Sequence, residues 1–188
     1  YVLLFVLGIF ISIYVLFKPL DVLLRWFDVD DGFFYFKVAR NFVHGLGFSF
    51  DGINRSNGFH PLWTVICVVG YRFFPADLVL PLRVIVLIGG ILNGISGIIL
   101  YRVLSRILNR EVSFVLSGLW VTMPAIFKIT TTQGMETGLS VMLLLLLIDR
   151  AQTWFGPGRL ANGKQSLLFG FIALLAILAR LDHIFYVG

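Results

Sequence analysis

VIVLIGGILNGISGIILY, residues 84–101, runs for 18 residues without a charge. A helix needs roughly 17–25 mainly apolar residues to cross the hydrocarbon core of a bilayer, so this stretch by itself reads as a membrane span. The rest of the chain agrees. Its 188 residues are 59% hydrophobic and 13% charged, against about a quarter charged in an ordinary soluble domain. So few charges cannot cover the surface of a water-soluble globule, and the same balance excludes intrinsic disorder. The single cysteine excludes a disulfide framework and a cysteine-rich zinc site. The net charge of +5 comes from basic residues that are scattered rather than run together, so it carries no nucleic-acid footprint.

Four further charge-free runs cover residues 1–17, 112–127, 137–148 and 165–179. Allowing Lys, Arg and Trp to sit at the interfaces extends them to spans. The expectation is an all-α membrane protein with about five transmembrane helices, near 1–18, 83–103, 112–130, 136–154 and 167–187. A sixth run, 61–71, has 11 uncharged residues before Arg72 and Pro75, a length that suits an interfacial or re-entrant helix. If 61–74 does not cross, the basic segments with Arg102, Arg106 and Arg110, and with Arg150, Arg159 and Lys164, share one side. The positive-inside rule makes that side cytoplasmic. The long first loop, about 19–82, then lies outside, carrying six of the ten acidic residues, with Glu136 on the same side. The first helix lacks the cleavage site of a signal peptide. The chain has no initiator Met and stops on an apolar run, so it reads as the N-terminal part of something longer, its C-terminal remainder missing.

The outer loop holds the chemistry. Asp30, Asp31 and Gly32 lead into FFYFKVARNFVHG, which as a helix puts Asp31, Tyr35, Val38 and Phe42 on one face. Gly45 and Gly47 end it, Phe48-Ser49-Phe50 alternates like a short strand, and Asp51-Gly52 reads as a turn. The Asp30–Asp31 pair caps a helix and favours its dipole, or supplies a general base beside the membrane; both can hold together. His60, before Pro61, is a structural hydrogen-bonder or a donor to a phosphate, with Asn57 and Arg55 near it. Trp63 reads as an interfacial anchor. Glu136 in TTTQGMETG starts a helix, or binds a metal ion or acceptor. In the last span Arg180 is a phosphate clamp or a partner of Asp182. Positions i and i+2 do not face each other on a helix, which weakens the second choice. Asp149-Arg150 reads as structural.

DDGFFYFKVARNFVHGLGFSFDG (30–52), NGFHPLWT (57–64) and GMETGL (134–139) together resemble the N-terminal portion of GT-C-type integral-membrane glycosyltransferases. That group includes protein O-mannosyltransferases, lipid A aminoarabinose transferases and mycobacterial arabinofuranosyltransferases; the likeness is greatest to bacterial members of the class. It extends in order over nearly the whole chain, making 1–188 the N-terminal part of a single GT-C-like transmembrane domain. The resemblance implies a polyprenyl-phosphate-linked sugar as donor, a glycan, lipid or protein acceptor, and inverting displacement at the outer face of a bacterial inner (plasma) membrane. It implies a general base at Asp31, or at Asp30, and an acidic acceptor or metal position at Glu136. His60 stands where aminoarabinose transferases have a Lys-Pro segment near the lipid phosphate. Arg180, His60 and Arg55 are the candidates for stabilising the leaving phosphate, where charge builds as the glycosidic bond breaks. No cofactor is fixed; where relatives use a divalent ion, the oxygen ligands on offer point to Mg or Mn. Two other functions fit the same charges: a transporter or flippase of a lipid-linked or anionic substrate, which predicts broken helices in mid-membrane, and a non-catalytic membrane subunit.

Overall fold

The computed structural model describes residues 1–27, 30–156, 158 and 160–187. Asp28 of the acidic loop and Arg159 of the basic loop fall outside them. The described chain is helical: α1 (Val2–Leu16), α2 (Leu20–Trp26), α3 (Asp30–Val43), α4 (Pro61–Phe73), α5 (Leu80–Leu104), α6 (Arg110–Thr122), α7 (Pro124–Phe127), a π-helical turn (Lys128–Thr132), α8 (Thr137–Trp154), α9 (Gly163–Ala179), a 3₁₀ turn (Leu181–His183) and α10 (Ile184–Val187). No strand occurs among the described residues. The strand-like 48–50 segment reduces to one antiparallel bridge, Ser49 to Arg55.

Among the described residues one continuous helix, α5, is long and apolar enough to cross a membrane, with 25 residues and a best window of mean hydropathy 2.2. The segment expected as a span at 112–130 is a bent pair, Arg110–Thr122 and Pro124–Thr132, meeting at 54°. Pro124 lacks an N–H and cannot continue the hydrogen-bond ladder. The Asn93 side-chain amide donates to the Val121 carbonyl beside the bend, at 3.2 Å. α1 and α9, with 15 and 17 residues, fall short of the test. α8 has 18 residues, but its last turns carry Asp149, Arg150, Gln152 and Thr153. The expected 167–187 span is also corrected: α9 begins earlier, held by an Asn162–Gln165 capping box, and ends at Ala179. Arg180 is extended (φ −154°, ψ 115°), and the chain reverses there.

α5 is the axis of the molecule, packed against α1, α4, α6, α8 and the π-helical turn. Its approach to α1 depends on small residues. A Cβ on Gly8 would stand 2.8 Å from the Gly94 Cα, and one on Gly90 would strike Ser12. Close backbone contact of this small-xxx-small kind is how apolar helices associate where the solvent offers no hydrophobic drive. α3 and α4 form a second layer beside this bundle. The buried face of α3 is Gly32, Tyr35, Phe36, Ala39, Val38 and Asn41, and Tyr35, Phe36 and Ala39 join the core with Trp63, Cys67 and Tyr71 of α4. Phe42, expected on that face, is 40% exposed; its ring stacks instead on Phe48 of the following loop, 4.2 Å between centroids. The loop is pinned at Asp51, whose carboxylate accepts from the Ile53, Asn54 and Ser49 side or main chains.

Candidate functional site

Two turns face each other at one end of the bundle. The chain after α7 winds into a π-helical turn, Gln133 N–H reaching the Lys128 carbonyl at 3.1 Å. Thr130 and Thr132 add hydroxyl bonds to the Ile126 and Lys128 carbonyls, at 2.8 and 3.2 Å, competition with the backbone that Thr side chains readily supply. Gly134 then turns the chain at φ +71°, a conformation glycine adopts without steric cost. Trp63 closes over it. Expected to anchor at an interface, Trp63 is instead 2% exposed, its indole N–H donating to the Gly134 carbonyl at 2.8 Å. Gly32, in the first turn of α3, lies directly on the Gln133 carbonyl, where a Cβ would not fit. That contact brings Asp31 to the same opening as Glu136.

The opening is a cavity of about 410 Å³ lined by Asp31, Phe34, Tyr35, Gly58, His60, Met135, Glu136 and Arg180. Four separated stretches supply its polar groups: α3, the entry to α4, the entry to α8 and the reversal after α9. Glu136 is 2% exposed. Its Oε2 accepts from the Tyr35 hydroxyl at 3.1 Å, and its Oε1 is 3.7 Å from His60 Nε2. The Tyr35 oxygen also accepts from the His60 backbone N–H at 3.3 Å. Burial, then the neighbouring Glu136 charge, push the Tyr35 phenol well above its ordinary value of 10.0. Tyr35 therefore stays a protonated donor across the physiological range.

His60 is fixed from both sides. Its Nδ1 accepts from the Leu181 backbone N–H at 3.2 Å. An accepting Nδ1 leaves the proton on Nε2, which points at Glu136. Through this bond the segment after α9 is tied to the entry of α4. The same segment is held to α8 and α9: Ser140 Oγ of α8 and the Ala176 carbonyl of α9 each lie 3.0 Å from a ring nitrogen of the buried His183. Arg180, at the reversal, is 3.3 Å from Asp182 through Nε. The i, i+2 argument against that pair fails because the segment is not α-helical.

Of the residues expected at a site, Asp31, His60, Glu136 and Arg180 come together. Asp31 is exposed and has no hydrogen-bond or ion-pair partner among the described residues. Asp30 is exposed too but does not line the cavity: neighbours on a helix project about 100° apart. Arg55 is also exposed and absent from the lining; its backbone bridges to Ser49. Tyr35 was legible in the sequence as sharing a face with Asp31; its bond to Glu136, 101 residues away, was not. Among the described residues no three His, Cys, Asp or Glu side chains gather to hold a metal ion.

At the other end of the bundle, Asp149 lies 13 residues beyond Glu136, about 20 Å along α8. It is fully buried and draws in Arg106 at 2.8 Å, Arg102 at 3.1 Å and Arg150 at 3.5 Å, in keeping with its structural reading. Comparison of the chain with protein-family models, with curated proteins and with solved structures finds no match.

Proposed function

We propose that this chain is the N-terminal part of a GT-C-like membrane glycosyltransferase that moves a sugar from a polyprenyl-phosphate donor to an acceptor hydroxyl. The observation that carries the reading is one cavity holding an unpartnered carboxylate, Asp31, and a guanidinium, Arg180. Displacement at a sugar carbon needs a base on one side and positive charge on the other. In the proposed reaction the acceptor oxygen bonds to the anomeric carbon and its proton passes to the Asp31 carboxylate. The bond from that carbon to the phosphate oxygen breaks, and its electron pair leaves with polyprenyl phosphate. Arg180, held by a single contact to Asp182, supplies charge to the departing phosphate. Both ring nitrogens of His60 already face protein groups, so His60 acts with Tyr35 and Glu136 as a positioning set that shapes the cavity wall. Arg55 and Asp30 have no part in the step.

The membrane setting belongs to the same proposal: α5 and the bent α6–α7 pair as spans, with α1, α8 and α9 completing a bundle of about five. The cavity end faces outward from a bacterial inner membrane and the Arg102–Arg106–Arg150 end faces the cytoplasm. Both the low charge content and the small-residue α1–α5 contact support it. Membranes holding the full-length protein are assayed with radiolabelled polyprenyl-phosphate pentoses and hexoses. Asp31→Asn is expected to lower transfer at least a hundredfold, as loss of a general base does, while Asp30→Asn keeps it within a few-fold. Transfer retained in Asp31→Asn would sink the general-base proposal. Cysteine labelling that puts residues 105–110 outside would overturn the orientation.

A transport reading is favoured by one feature, the discontinuous helices at Pro124 and Arg180. Discontinuous helices are a frequent building block of substrate sites in transporters. It predicts movement of a fluorescent polyprenyl phosphate between leaflets of reconstituted vesicles with no glycosidic product.

A further inference from the structure

Outside the cavity, a second hollow of about 320 Å³ sets cations among aromatic rings: Phe33, Phe36, Lys37, Arg40, Phe50 and Tyr71. Phe33, Lys37 and Arg40 fall at i, i+4 and i+7, one stripe of α3. Phe50 reaches over from the loop that follows and stacks on Phe34, with ring centroids 5.3 Å apart and planes at 12°. Phe34 lines the cavity beside Asp31. The Phe34–Phe50 stack therefore joins the two hollows across the exposed side of α3.

The two cations are uncommitted. Arg102, Arg106 and Arg150 converge on Asp149, and Arg180 pairs with Asp182. Lys37 and Arg40 have no carboxylate within ion-pair distance among the described residues. Arg40 Nε is shut off from solvent with no hydrogen-bond acceptor, while the half-buried side chain still lines the hollow. Phe33 and Phe50 remain 39% and 48% exposed, apolar ring faces left open beside those charges.

We propose that this hollow is an acceptor subsite for an acidic saccharide. The rings cover the C–H face of a sugar, and Lys37 and Arg40 hold its carboxylate or phosphate-ester oxygens through charge-assisted hydrogen bonds. The spacing suits a short oligosaccharide. Lys37 and Arg40 lie six and nine residues beyond Asp31, roughly 9 and 13.5 Å along the helix axis. A chain whose terminal hydroxyl reaches Asp31 can cross the Phe34–Phe50 stack and set an acidic unit between the two cations. The occupant's role as acceptor rests on the glycosyltransferase reading; the charge-selective binding does not.

The test is a calorimetric titration of the full-length protein in phosphatidylcholine nanodiscs with trigalacturonic acid and with neutral maltotriose. The expected result is binding of the acidic trimer at least tenfold tighter than the neutral one, weakening as salt rises. Lys37→Gln with Arg40→Gln is expected to remove that preference. Phe50→Ala should weaken both trimers; circular dichroism and gel filtration check that each variant is folded. Equal affinity for the two trimers, or no change in the double variant, would overturn the proposal. So would loss of trigalacturonate binding in phosphatidylglycerol nanodiscs, which would assign the hollow to a lipid headgroup. Charge-selective binding without any sugar transfer would leave the subsite standing and remove the transferase reading. Transfer without such binding would do the reverse.

Discussion

Replacing Tyr35 by Phe keeps the ring and deletes one oxygen, and the structure says what that oxygen does. It donates to Glu136 at 3.1 Å and accepts from the His60 amide at 3.3 Å. Glu136 is 2% exposed, so water cannot readily take over the lost donor. A hydrogen bond to a charged group contributes about 1.5–3 kcal/mol, and a longer neutral one about 0.5–1 kcal/mol. The sum is roughly 2–4 kcal/mol lost in Tyr35→Phe, most of it through Glu136. A double-mutant cycle with Glu136→Leu, which removes the acceptor, isolates that share, because the two residues are in direct contact. The coupling is expected at about 1.5–3 kcal/mol, read from reversible unfolding in mixed micelles. Sugar transfer should fall along with stability, since His60 and the wall of the cavity lose their orientation, while the protein still reaches the membrane. Coupling below about 0.5 kcal/mol would refute the argument, because that is the size of disagreement independent sites show.

Other parts of the molecule make equally direct predictions. Gly90→Val puts a branched side chain where Ser12 and the Gly8 carbonyl of α1 already lie. It should destabilise by about 3 kcal/mol, the upper end for overpacking, and lower the yield of folded protein in gel filtration; a fully stable variant would show that α1 and α5 are not so closely packed. Asp149→Ala leaves three guanidiniums, 27–35% exposed, without their common partner. Breaking a buried pair costs about 3–5 kcal/mol, here about 3 because those arginines keep some water, and the loss should appear as faster proteolysis near residues 102–110. Asp51 is exposed, and the Ile53 and Asn54 amides, with the Asn54 side chain, hold its carboxyl below its ordinary 3.8. A depressed folded-state value means that the turn's stabilisation is present above pH 3.8 and is lost as the pH falls further. Protection of the 52–56 amides from hydrogen exchange, corrected for the intrinsic pH dependence of exchange, should fall on acidification, and Asp51→Asn should flatten that response.

How much was legible beforehand varies with the range of the interaction. The 84–101 run, the break at Gly45 and Gly47, the Asp51 turn and the short helix at 61–74 all appear close to where the residues put them. Each depends on neighbours a few positions away: an apolar run, a glycine at positive φ, an Asp beside a free amide, a proline at a first helical turn. The breaks within 112–130 and 167–187 are not legible in the sequence because apolarity records which residues avoid water, not where a helix bends. Pro124 was visible, yet the 54° angle depends on how α6 and the π-helical turn pack on α5. Trp63 went inside because α4 closes over the Gly134 turn, 71 residues away.

The candidate site divides along the same line. Residue chemistry alone nominated Asp30, Asp31, Arg55, His60, Glu136 and Arg180, because charge in so apolar a chain is scarce and collects near turns. Side-chain direction and long-range contact separated them. A 100° step round α3 takes Asp30 away from the opening that Asp31 lines, and Arg55, exposed in the loop before α4, does not line it either. Tyr35, unremarked as a site residue, became the link between Glu136 and the entry to α4. Local sequence determines where an α-helix can start and how apolar it is, since those energies come from residues within a turn or two. Only the tertiary structure brings residues 31, 60, 136 and 180 to one cavity, because the bonds that hold them there join positions up to 121 residues apart.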